Sequence, residues 1–347
     1  MTESADNPSL TSYIGSALGV AKTLDFYGID GTAALADVGV DVNAVPGFDT
    51  RISMQLLHKA LNNYVPHGVD PLFGLNFAKS INPINYHAFG VMLTASVTLR
   101  DFGQRLQRYY AYLTTGERVE FNDAGELVYK QVVPAEFGDS PFELLLHGSA
   151  WAATMLKMIR AVVSPEFSPR LVTFSFAAPE GYTADFEQYF RCEIEYDAPR
   201  TSLQFVAQDL DQLLPGGNAQ LARHSEKLVY DYLQTISTEV EIVNASRMAF
   251  FELLPRGDFA LESLAGALSM TKEELASELK SSGTSYQQLL GDTRRELAEE
   301  YIVRADLSVN EIAYMLGFSD CSNFARSFRR WTGQSPSDFR ESLRGGT

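Results

Sequence analysis

The stretch Ile312–Arg340, which reads IAYMLGFSDCSNFARSFRRWTGQSPSDFR, decides the fold of the C-terminal part of this 347-residue chain. At the rotation of about 100° per residue of an α-helix, Phe324, Phe328 and Trp331 fall on one narrow apolar stripe. Such a stripe must be buried against a neighbouring helix. Gly317 lies where a tight turn between two helices would fall, and glycine tolerates such a turn. The stretch therefore predicts two short helices joined by a turn and packed through aromatic side chains.

The opposite face of the second helix is polar and basic. Asn323, Arg326 and Arg330 cluster on it, flanked by Ser322 and Arg329. Arginine pairs with guanine and asparagine pairs with adenine through two hydrogen bonds in the major groove, which a helix of this size fits. We therefore predict that Asn323 and Arg326 contact bases, and that Arg329 and Arg330 contact phosphates. The alternative for the arginine cluster alone is a solvated basic face.

A similar pattern lies earlier in the chain. Residues 283–289 (GTSYQQL) match residues 333–339 (GQSPSDF) in texture at a distance of 50 residues, and a helix–break–helix pattern precedes each of them. Two helices joined by a short turn form a helix-turn-helix. The repeat therefore predicts two such units, over about residues 260–282 and 309–331.

The run Ile312–Arg340 resembles, almost position by position, the C-terminal signature of the AraC/XylS family of bacterial regulators. The resemblance implies two helix-turn-helix subdomains joined by one long helix, here residues 286–303. It also implies that the second helix of each unit enters adjacent major grooves of double-stranded promoter DNA. RNA polymerase is a further candidate partner of such a regulator.

The N-terminal residues 1–217 mix helical periods with short β-rich runs and therefore predict an α+β domain. A Pro-Gly-Gly break over residues 215–217 ends this part, residues 218–237 read as a joining helix, and residues 238–347 lack strand signals. The predicted fold class is thus an α+β domain followed by an all-α domain. The predicted strands are residues 126–133, 170–177 and 201–206, and the predicted helices are residues 53–64, 99–113 and 141–161.

The N-terminal part is similar to the sensor domain of one subgroup of the same family, the regulators with an arabinose-binding-type domain. The similarity implies a domain that senses a small-molecule effector, although the word arabinose does not identify the ligand. It rests on residues 70–75 (DPLFGL), 89–90 (FG), 96–100 (SVTLR), 108–109 (RY), 186–196 (FEQYFRCEIEY) and 203–205 (LQF).

Asn85, Tyr86 and His87 are the candidate effector contacts. They lie in residues 82–90 (NPINYHAFG), where hydrogen-bonding groups alternate with aromatic rings in a turn context. Binding loops often have this composition, and an ordinary surface loop is the alternative.

Composition and motifs exclude several other classes of protein. Two cysteines give no disulfide framework, the N-terminus has no signal-peptide pattern, and apolar runs are too short to cross a bilayer, so we expect a cytoplasmic protein. The five histidines show no metal-binding spacing, and no catalytic or nucleotide-binding motif is present. We therefore expect no metal, no cofactor and no enzymatic activity; an enzyme in the N-terminal domain is a reading supported by chain length alone.

The first helix-turn-helix unit departs from the family pattern. Aligning Leu275 with Phe324 places Glu274 opposite Asn323 and Ser277 opposite Arg326, so an acidic face replaces a basic one. Residues 238–347 contain 12 Lys and Arg against 17 Asp and Glu, a net charge of −5, within a chain of net charge −16.

Two hypotheses follow from this charge balance. In the first, the second unit dominates DNA affinity and the first unit positions or discriminates, with Thr271 and Ser277 as its candidate DNA contacts. In the alternative, the chain is an acidic co-regulator that acts through protein contacts with little direct DNA binding. A homodimer, formed through residues 218–237 or the sensor domain, would offset a weak first unit.

Overall fold

The computed structural model describes residues 10–43, 50–64, 69–131, 141–236, 242–302 and 307–344. The chain divides into two compact units, and the boundary lies between Ile236 and Ser237. The first unit is mixed α/β and the second is helical, which confirms the predicted fold class.

The first unit contains seven strands and nine helices among its described residues. The strands are β1 (Thr11–Tyr13), β2 (Arg51–Ser53), β3 (Glu117–Phe121), β4 (Glu126–Gln131), β5 (Leu171–Thr173), β6 (Glu193–Glu195) and β7 (Ser202–Gln204). The helices are α1 (Ile14–Phe26), α2 (Gly31–Ala36), α3 (Met54–Tyr64), α4 (Phe73–Ser80), α5 (His87–Thr94), α6 (Leu99–Tyr109), α7 (Pro141–Val162), α8 (Thr183–Phe190) and α9 (Ala219–Ile236).

A five-stranded sheet in the order β3-β4-β7-β5-β6 forms one layer of this unit. Neighbouring strands are antiparallel except β5 and β6, which are parallel. Leu127 pairs with Leu203, and Leu203 pairs with Val172, so a row of fully buried side chains crosses three strands. Burying each such side chain stabilises the sheet by about 1.5–3 kcal/mol.

The helix α7 lies at the centre of the first unit and is buried over most of its length. It packs closely on α4, where a Cβ added to Gly74 would lie 2.0 Å from Ser149 Oγ. The absence of a side chain at Gly74 therefore sets how near the two helices approach.

The predicted strands each contain an observed strand, but the observed strands are shorter. β5 and β7 cover three residues each, and positions 132–133 of the predicted first strand lie outside the described residues. The sequence did not predict β1, β2, β3 or β6. The predicted helices correspond to α3, α6 and α7, and a 3₁₀ turn over Tyr110–Tyr112 follows α6.

The helix that the sequence placed between the two domains is α9, and it belongs to the first unit. Its fully buried Glu226 accepts hydrogen bonds from Arg105 and Arg108 of α6 at 3.3 Å each. Its Tyr232 ring packs against Tyr112 at 5.1 Å between centroids. A buried carboxylate needs such partners, so this pairing holds α9 on the sensor domain and moves the boundary from residue 217 to residue 236.

The second unit contains seven α-helices among its described residues. They are α10 (Ile242–Leu253), α11 (Leu261–Ala267), α12 (Lys272–Ser281), α13 (Tyr286–Ile302), α14 (Val309–Met315), α15 (Cys321–Thr332) and α16 (Pro336–Arg344). The pairs α11–α12 and α14–α15 lie where the sequence predicts helix-turn-helix units, and α13 lies where it predicts the long helix. Residue 303, the predicted end of that helix, lies outside the described residues.

Candidate nucleic-acid interface and ligand cavity

The turn between α14 and α15 has a backbone conformation that suits glycine. Gly317 has a φ of +69°, and a Cβ there would lie 2.5 Å from the Phe259 ring. After the turn, the Asp320 carboxylate accepts a hydrogen bond from the Asn323 backbone N–H at 2.8 Å and caps α15. This bond holds the pKa of Asp320 below its usual range. The turn and the cap together fix where α15 begins.

The helix α15 separates an apolar face from a basic face, as the sequence predicts. Phe324 and Phe328 are fully buried, whereas Arg326, Arg329 and Arg330 are exposed. Ser322 is exposed beside them, and Trp331 is partly buried against Phe318. Among the described side chains, none of these three arginines forms a salt bridge, so their guanidinium groups remain accessible to phosphate or base acceptors.

Asn323 and Arg326, the candidate base contacts, are hydrogen-bonded to each other. Arg326 Nη2 donates to Asn323 Oδ1, and Asn323 Nδ2 donates to Asp320 Oδ2 at 2.6 Å and to Ser319 Oγ at 3.0 Å. The amide is therefore oriented by its neighbours in the unbound protein. An arginine carries five N–H donors, so Arg326 keeps donors for a base while it orients Asn323.

The first helix-turn-helix unit carries different side chains at the positions that correspond to Asp320, Asn323 and Arg326. Thr271 caps α12, and its backbone N–H and hydroxyl both donate to Glu274 Oε2 at 2.8 Å. Glu274 N–H donates back to Thr271 Oγ1 at 3.2 Å, which completes a capping box. The Thr271 backbone bond holds the pKa of Glu274 below its usual range. The Glu274 carboxylate thus occupies the N-terminus of α12, where a helix otherwise attracts phosphate, while Ser277 is simply exposed.

Sequence analysis missed Arg294 of α13, which contacts both helix-turn-helix units of the C-terminal domain. Its guanidinium donates to the carbonyl oxygens of Leu316 at 2.7 Å and Gly317 at 2.9 Å. The same group lies 5.0 Å from the ring centroids of Phe259, which precedes α11, and of Phe318. Arg294 therefore fixes the second turn against the entry of the first unit. An arginine inside a helix of mixed charge gives no such signal in the sequence.

The N-terminal unit contains a cavity of about 160 Å³, partly open to solvent, between α7, the β3–β4 edge of the sheet and the helices α1, α3 and α4. Its wall is mainly apolar, and its polar groups face one another across α7 and β3. The lining residues are Leu10, Ser12, Ser16, Val20, Met54, Gln55, Leu57, His58, Leu61, Phe73, Phe77, Tyr86, Tyr110, Leu113, Thr114, Glu117, Gln131, Leu146, His147, Ala150, Trp151, Thr154 and Met155.

A hydrogen-bonded carboxylate lies at the β3 side of this cavity. Glu117 accepts from Tyr129 Oη at 2.9 Å and from Tyr110 Oη at 3.2 Å, and His147 Nδ1 lies 3.9 Å away. Burial raises the pKa of Tyr110 and Tyr129 well above 10, so both hydroxyls stay protonated and donate. Burial lowers the pKa of His147, so its ring is neutral at pH 7.

The three candidate effector residues do not face one common space. Tyr86 is buried and lines this cavity. Asn85 and His87 instead line a second pocket with Tyr13 and Lys22, on the other side of that turn. The Asn85 side chain also accepts from the Asn82 backbone N–H at 2.9 Å and so stabilises the turn.

Two negative observations apply to the described residues only. Among them, no three His, Cys, Asp or Glu side chains converge as a metal site would require. No helix in that part of the chain combines the length and apolar character that crossing a membrane would require.

Comparison with known proteins identifies both units. Residues 28–214 match the family described as the arabinose-binding domain of AraC transcription regulator, N-terminal, and residues 264–342 match a helix-turn-helix domain family. The ornithine utilization regulator of Pseudomonas aeruginosa is 28% identical over 275 residues, which are 78% of this chain and 79% of the relative. The regulator VqsM of the same species is 22% identical over 292 residues, 82% of this chain and 88% of the relative.

A solved structure supports the same fold. The transcriptional regulator CdpR from Pseudomonas aeruginosa matches with a TM-score of 0.50 and 19% identity, over 94% of this chain and 98% of that one. Because the first family match spans more than half of the chain and the helix-turn-helix match lies within the C-terminal unit, the assignment does not depend on a single motif. The chain belongs to the AraC family of helix-turn-helix transcription regulators and has an arabinose-binding-type N-terminal domain.

Proposed function

We propose that this regulator recognises promoter DNA mainly through α15 and that a small molecule bound in the N-terminal unit shifts that recognition. The observation that carries the proposal is the exposed face of Arg326, Arg329 and Arg330 over a fully buried Phe324–Phe328 seam. Asn323 and Arg326 read bases, and Ser322, Arg329 and Arg330 hold phosphates. The regulator acts in the cytoplasm, where chromosomal DNA lies, and RNA polymerase is a candidate partner at the promoter.

The first helix-turn-helix unit has a lesser part in this proposal. Its second helix, α12, carries two lysines against three glutamates, whereas α15 carries three arginines and no acidic residue. A carboxylate near DNA repels phosphate, so α12 adds little affinity and contributes contacts through Thr271 and Ser277. Glutamate can still accept from cytosine N4, which lets α12 discriminate between sequences.

A homodimer supplies the affinity that a single basic helix lacks. On α9, Leu228 is 61% exposed and Leu221 is 46% exposed, seven residues apart on one face of the helix. Apolar residues at this spacing form the seam of paired helices. We expect Leu228→Lys to convert a dimer to a monomer in analytical ultracentrifugation. Ala219→Lys, on the same helix but off that seam, is the control, and an unchanged mass for both would contradict pairing through α9.

The relatives leave the effector open. The name of one relative refers to ornithine, a molecule with a carboxylate and two amines. None of the described residues that line the cavity is Lys or Arg, and the lining His58 already lies 3.0 Å from the Glu143 carboxylate, so a free carboxylate is poorly accommodated there. The structure of this cavity therefore favours a different effector for this chain.

A salt titration of DNA binding tests the proposal. The full chain binds a promoter fragment selected from its genome, and the affinity falls with salt at a logarithmic slope of about −0.9 for each phosphate contact. Arg329→Ala should reduce the slope by about one contact. Lys280→Ala, the aligned position of α12, is the matched control and should leave the slope unchanged.

The same experiment separates the alternative function. The net charge of −16 favours an acidic co-regulator that acts through protein contacts. Such a protein would bind no promoter fragment at low salt, and its residual binding would not respond to Arg329→Ala. Either result would overturn the proposal of direct recognition through α15.

A further inference from the structure

We propose that the cavity beside α7 holds a compact, uncharged and mainly apolar molecule that contains a hydrogen-bond acceptor, and that this molecule is the effector. The word effector rests on the proposed function, whereas binding in the cavity does not require DNA. The proposal follows from three observations: the size of the cavity, two buried polar atoms without a partner among the described residues, and the charges of the lining side chains.

The size of the cavity limits the ligand. Its volume is about 160 Å³. An engineered cavity of roughly 150 Å³ in another protein accommodates benzene. A ligand with a single six-membered ring and a small substituent, of about six to ten non-hydrogen atoms, therefore fits inside it, whereas a larger molecule would extend through its opening.

Two buried polar atoms on α7 point to hydrogen bonds with a ligand. The side chains of Trp151 and Thr154 line the cavity. Their Nε1 and Oγ1 atoms are buried and have no hydrogen-bond partner among the described residues. Trp151 is 5% exposed and Thr154 is 4% exposed. Residues three apart lie on one face of a helix, so the two groups address the same space. Because an indole N–H can only donate, the ligand must offer an acceptor.

The charges of the lining side chains exclude ionic ligands. Glu117 contributes a carboxylate, and no described lining residue is Lys or Arg. The His58 ring also lines the cavity, but its Nε2 already lies 3.0 Å from the Glu143 carboxylate, so an anion would compete with Glu143 for its one nearby ionic partner. Each Glu117 oxygen already accepts a tyrosine hydroxyl, from Tyr129 and Tyr110, which reduces what it offers to a cation. Burial keeps His147 neutral by lowering its pKa, so it adds no permanent charge. An uncharged ligand therefore has the lowest desolvation cost.

Tryptophan fluorescence of the full chain without DNA tests this proposal. The sequence has two tryptophans, so Trp331→Phe leaves Trp151 as the sole reporter. The probes are benzyl alcohol, toluene, benzoate and benzylamine, which share one ring and differ in acceptor and charge. We expect saturable binding of benzyl alcohol, and binding about tenfold or more weaker for each of the other three, because one buried hydrogen bond is worth about tenfold in affinity.

Two substitutions connect this selectivity to the named atoms. Trp151→Phe removes the N–H and keeps an aromatic ring, and Thr154→Val removes the hydroxyl and keeps the shape of the side chain. By calorimetry, Trp151→Phe should weaken benzyl alcohol about tenfold and leave toluene unchanged. Thr154→Val should weaken benzyl alcohol in the same direction, and it provides a second test if Trp151→Phe does not fold. Trp331→Phe, a tryptophan change in the other unit, should leave both affinities unchanged.

Several results would overturn the proposal. They are the absence of saturable binding for all four probes, benzoate or benzylamine binding as tightly as benzyl alcohol, and unchanged preference for benzyl alcohol over toluene in both cavity variants. These outcomes leave the DNA titration unaffected, because that titration contains no ligand. If the full chain bound no promoter fragment but still selected benzyl alcohol over the other probes, the proposed function would be contradicted and the proposal for the cavity would stand.

Discussion

In the first helix-turn-helix unit, Leu275 and Leu279 fill the positions that Phe324 and Phe328 fill in the second, and all four side chains are fully buried. The preceding helices also correspond, since Leu264 of α11 and Ile312 of α14 are fully buried. Both units therefore pack through apolar residues at the same spacing. The size of the apolar residue differs, but its position does not.

The exposed positions of the two units have diverged. The residue three places after the cap is Glu274 in α12 and Asn323 in α15, and the next exposed turn carries Ser277 in one and Arg326 in the other. The turn between helices has four residues in the first unit and five in the second. The comparison teaches that apolar spacing fixes the fold, whereas recognition must be argued for each unit from its own surface.

The largest expected effects test whether the two cores are equivalent. Phe328→Ala should destabilise the second unit by about 3–5 kcal/mol, and Leu279→Ala should destabilise the first by about 2–5 kcal/mol, because each leaves a cavity among closely packed side chains. Chemical denaturation followed by circular dichroism measures both. Leu213→Ala, in the segment before α9 where the side chain is half exposed, is the control and should cost much less. A loss below about 1 kcal/mol for Leu279→Ala would show that the first unit is not held by an equivalent core.

The next prediction tests whether the two helix-turn-helix units differ in their contribution to DNA affinity as they differ in the charge of their exposed side chains. Arg326→Ala should weaken binding to the preferred promoter fragment by about 1–3 kcal/mol and relax the preference at one base pair. Glu274→Gln removes a charge and keeps the capping hydrogen bond, so it should leave the affinity unchanged or raise it slightly. Fluorescence anisotropy with labelled fragments measures both affinities.

Stability controls complete this test of recognition. Neither substitution alters a buried side chain, so Arg326→Ala should unfold at the same denaturant concentration as the native chain. Glu274→Gln loses the charge that folding favours and should unfold at a slightly lower one. If Glu274→Gln weakened binding more than Arg326→Ala, the second unit would not dominate affinity, and the acidic helix would be the specific reader.

Local sequence patterns predicted the structure of the second helix-turn-helix unit better than that of the N-terminal unit. The stripe through Phe324 and Phe328 and the opposite arginine face are both set by helical periodicity, which the sequence displays directly. In the sheet, β5 has only three residues and owes its stability to Leu203 on a distant strand, so its bounds depend on contacts that periodicity does not record.

The candidate sites show the same division. Asn323 and Arg326 lie one helical turn apart, and the structure brings them together as their spacing requires. Asn85 and Tyr86 are adjacent in sequence but address different pockets, because successive residues of a turn point in different directions. The cavity polar groups Glu117 and Trp151 come from β3 and α7, so only tertiary packing makes them neighbours.

A smaller effect concerns the capping box that distinguishes α12. Thr271→Ala removes its hydroxyl and should destabilise the C-terminal domain by about 1 kcal/mol at neutral pH. Since the pKa of Glu274 is lowered by its bonds to Thr271, folding favours the ionised carboxylate. That contribution is present at neutral pH and is lost as the pH falls through the lowered folded pKa. The variant loses the bond from the hydroxyl to the carboxylate but keeps the backbone bond that lowers the pKa of Glu274 most. Unfolding curves at several pH values should therefore differ by less in acid than at neutral pH. Curves that stay equally separated would show that Glu274 and Thr271 are not coupled.

The smallest expected effect tests the two turns. Ser269 in the first turn has a φ of +56°, the left-handed region that Gly317 occupies in the second at +69°. A side chain costs roughly 1–2 kcal/mol in that region, and glycine loses part of this gain through its greater freedom in the unfolded chain. Ser269→Gly should therefore stabilise the C-terminal domain by less than about 1 kcal/mol, which would appear as a small rise in the denaturation midpoint. Ser263→Gly, the same substitution inside α11, should instead lower the midpoint because glycine is a poor helix former. If both changes lowered it equally, the conformation of the first turn would not match that of the second.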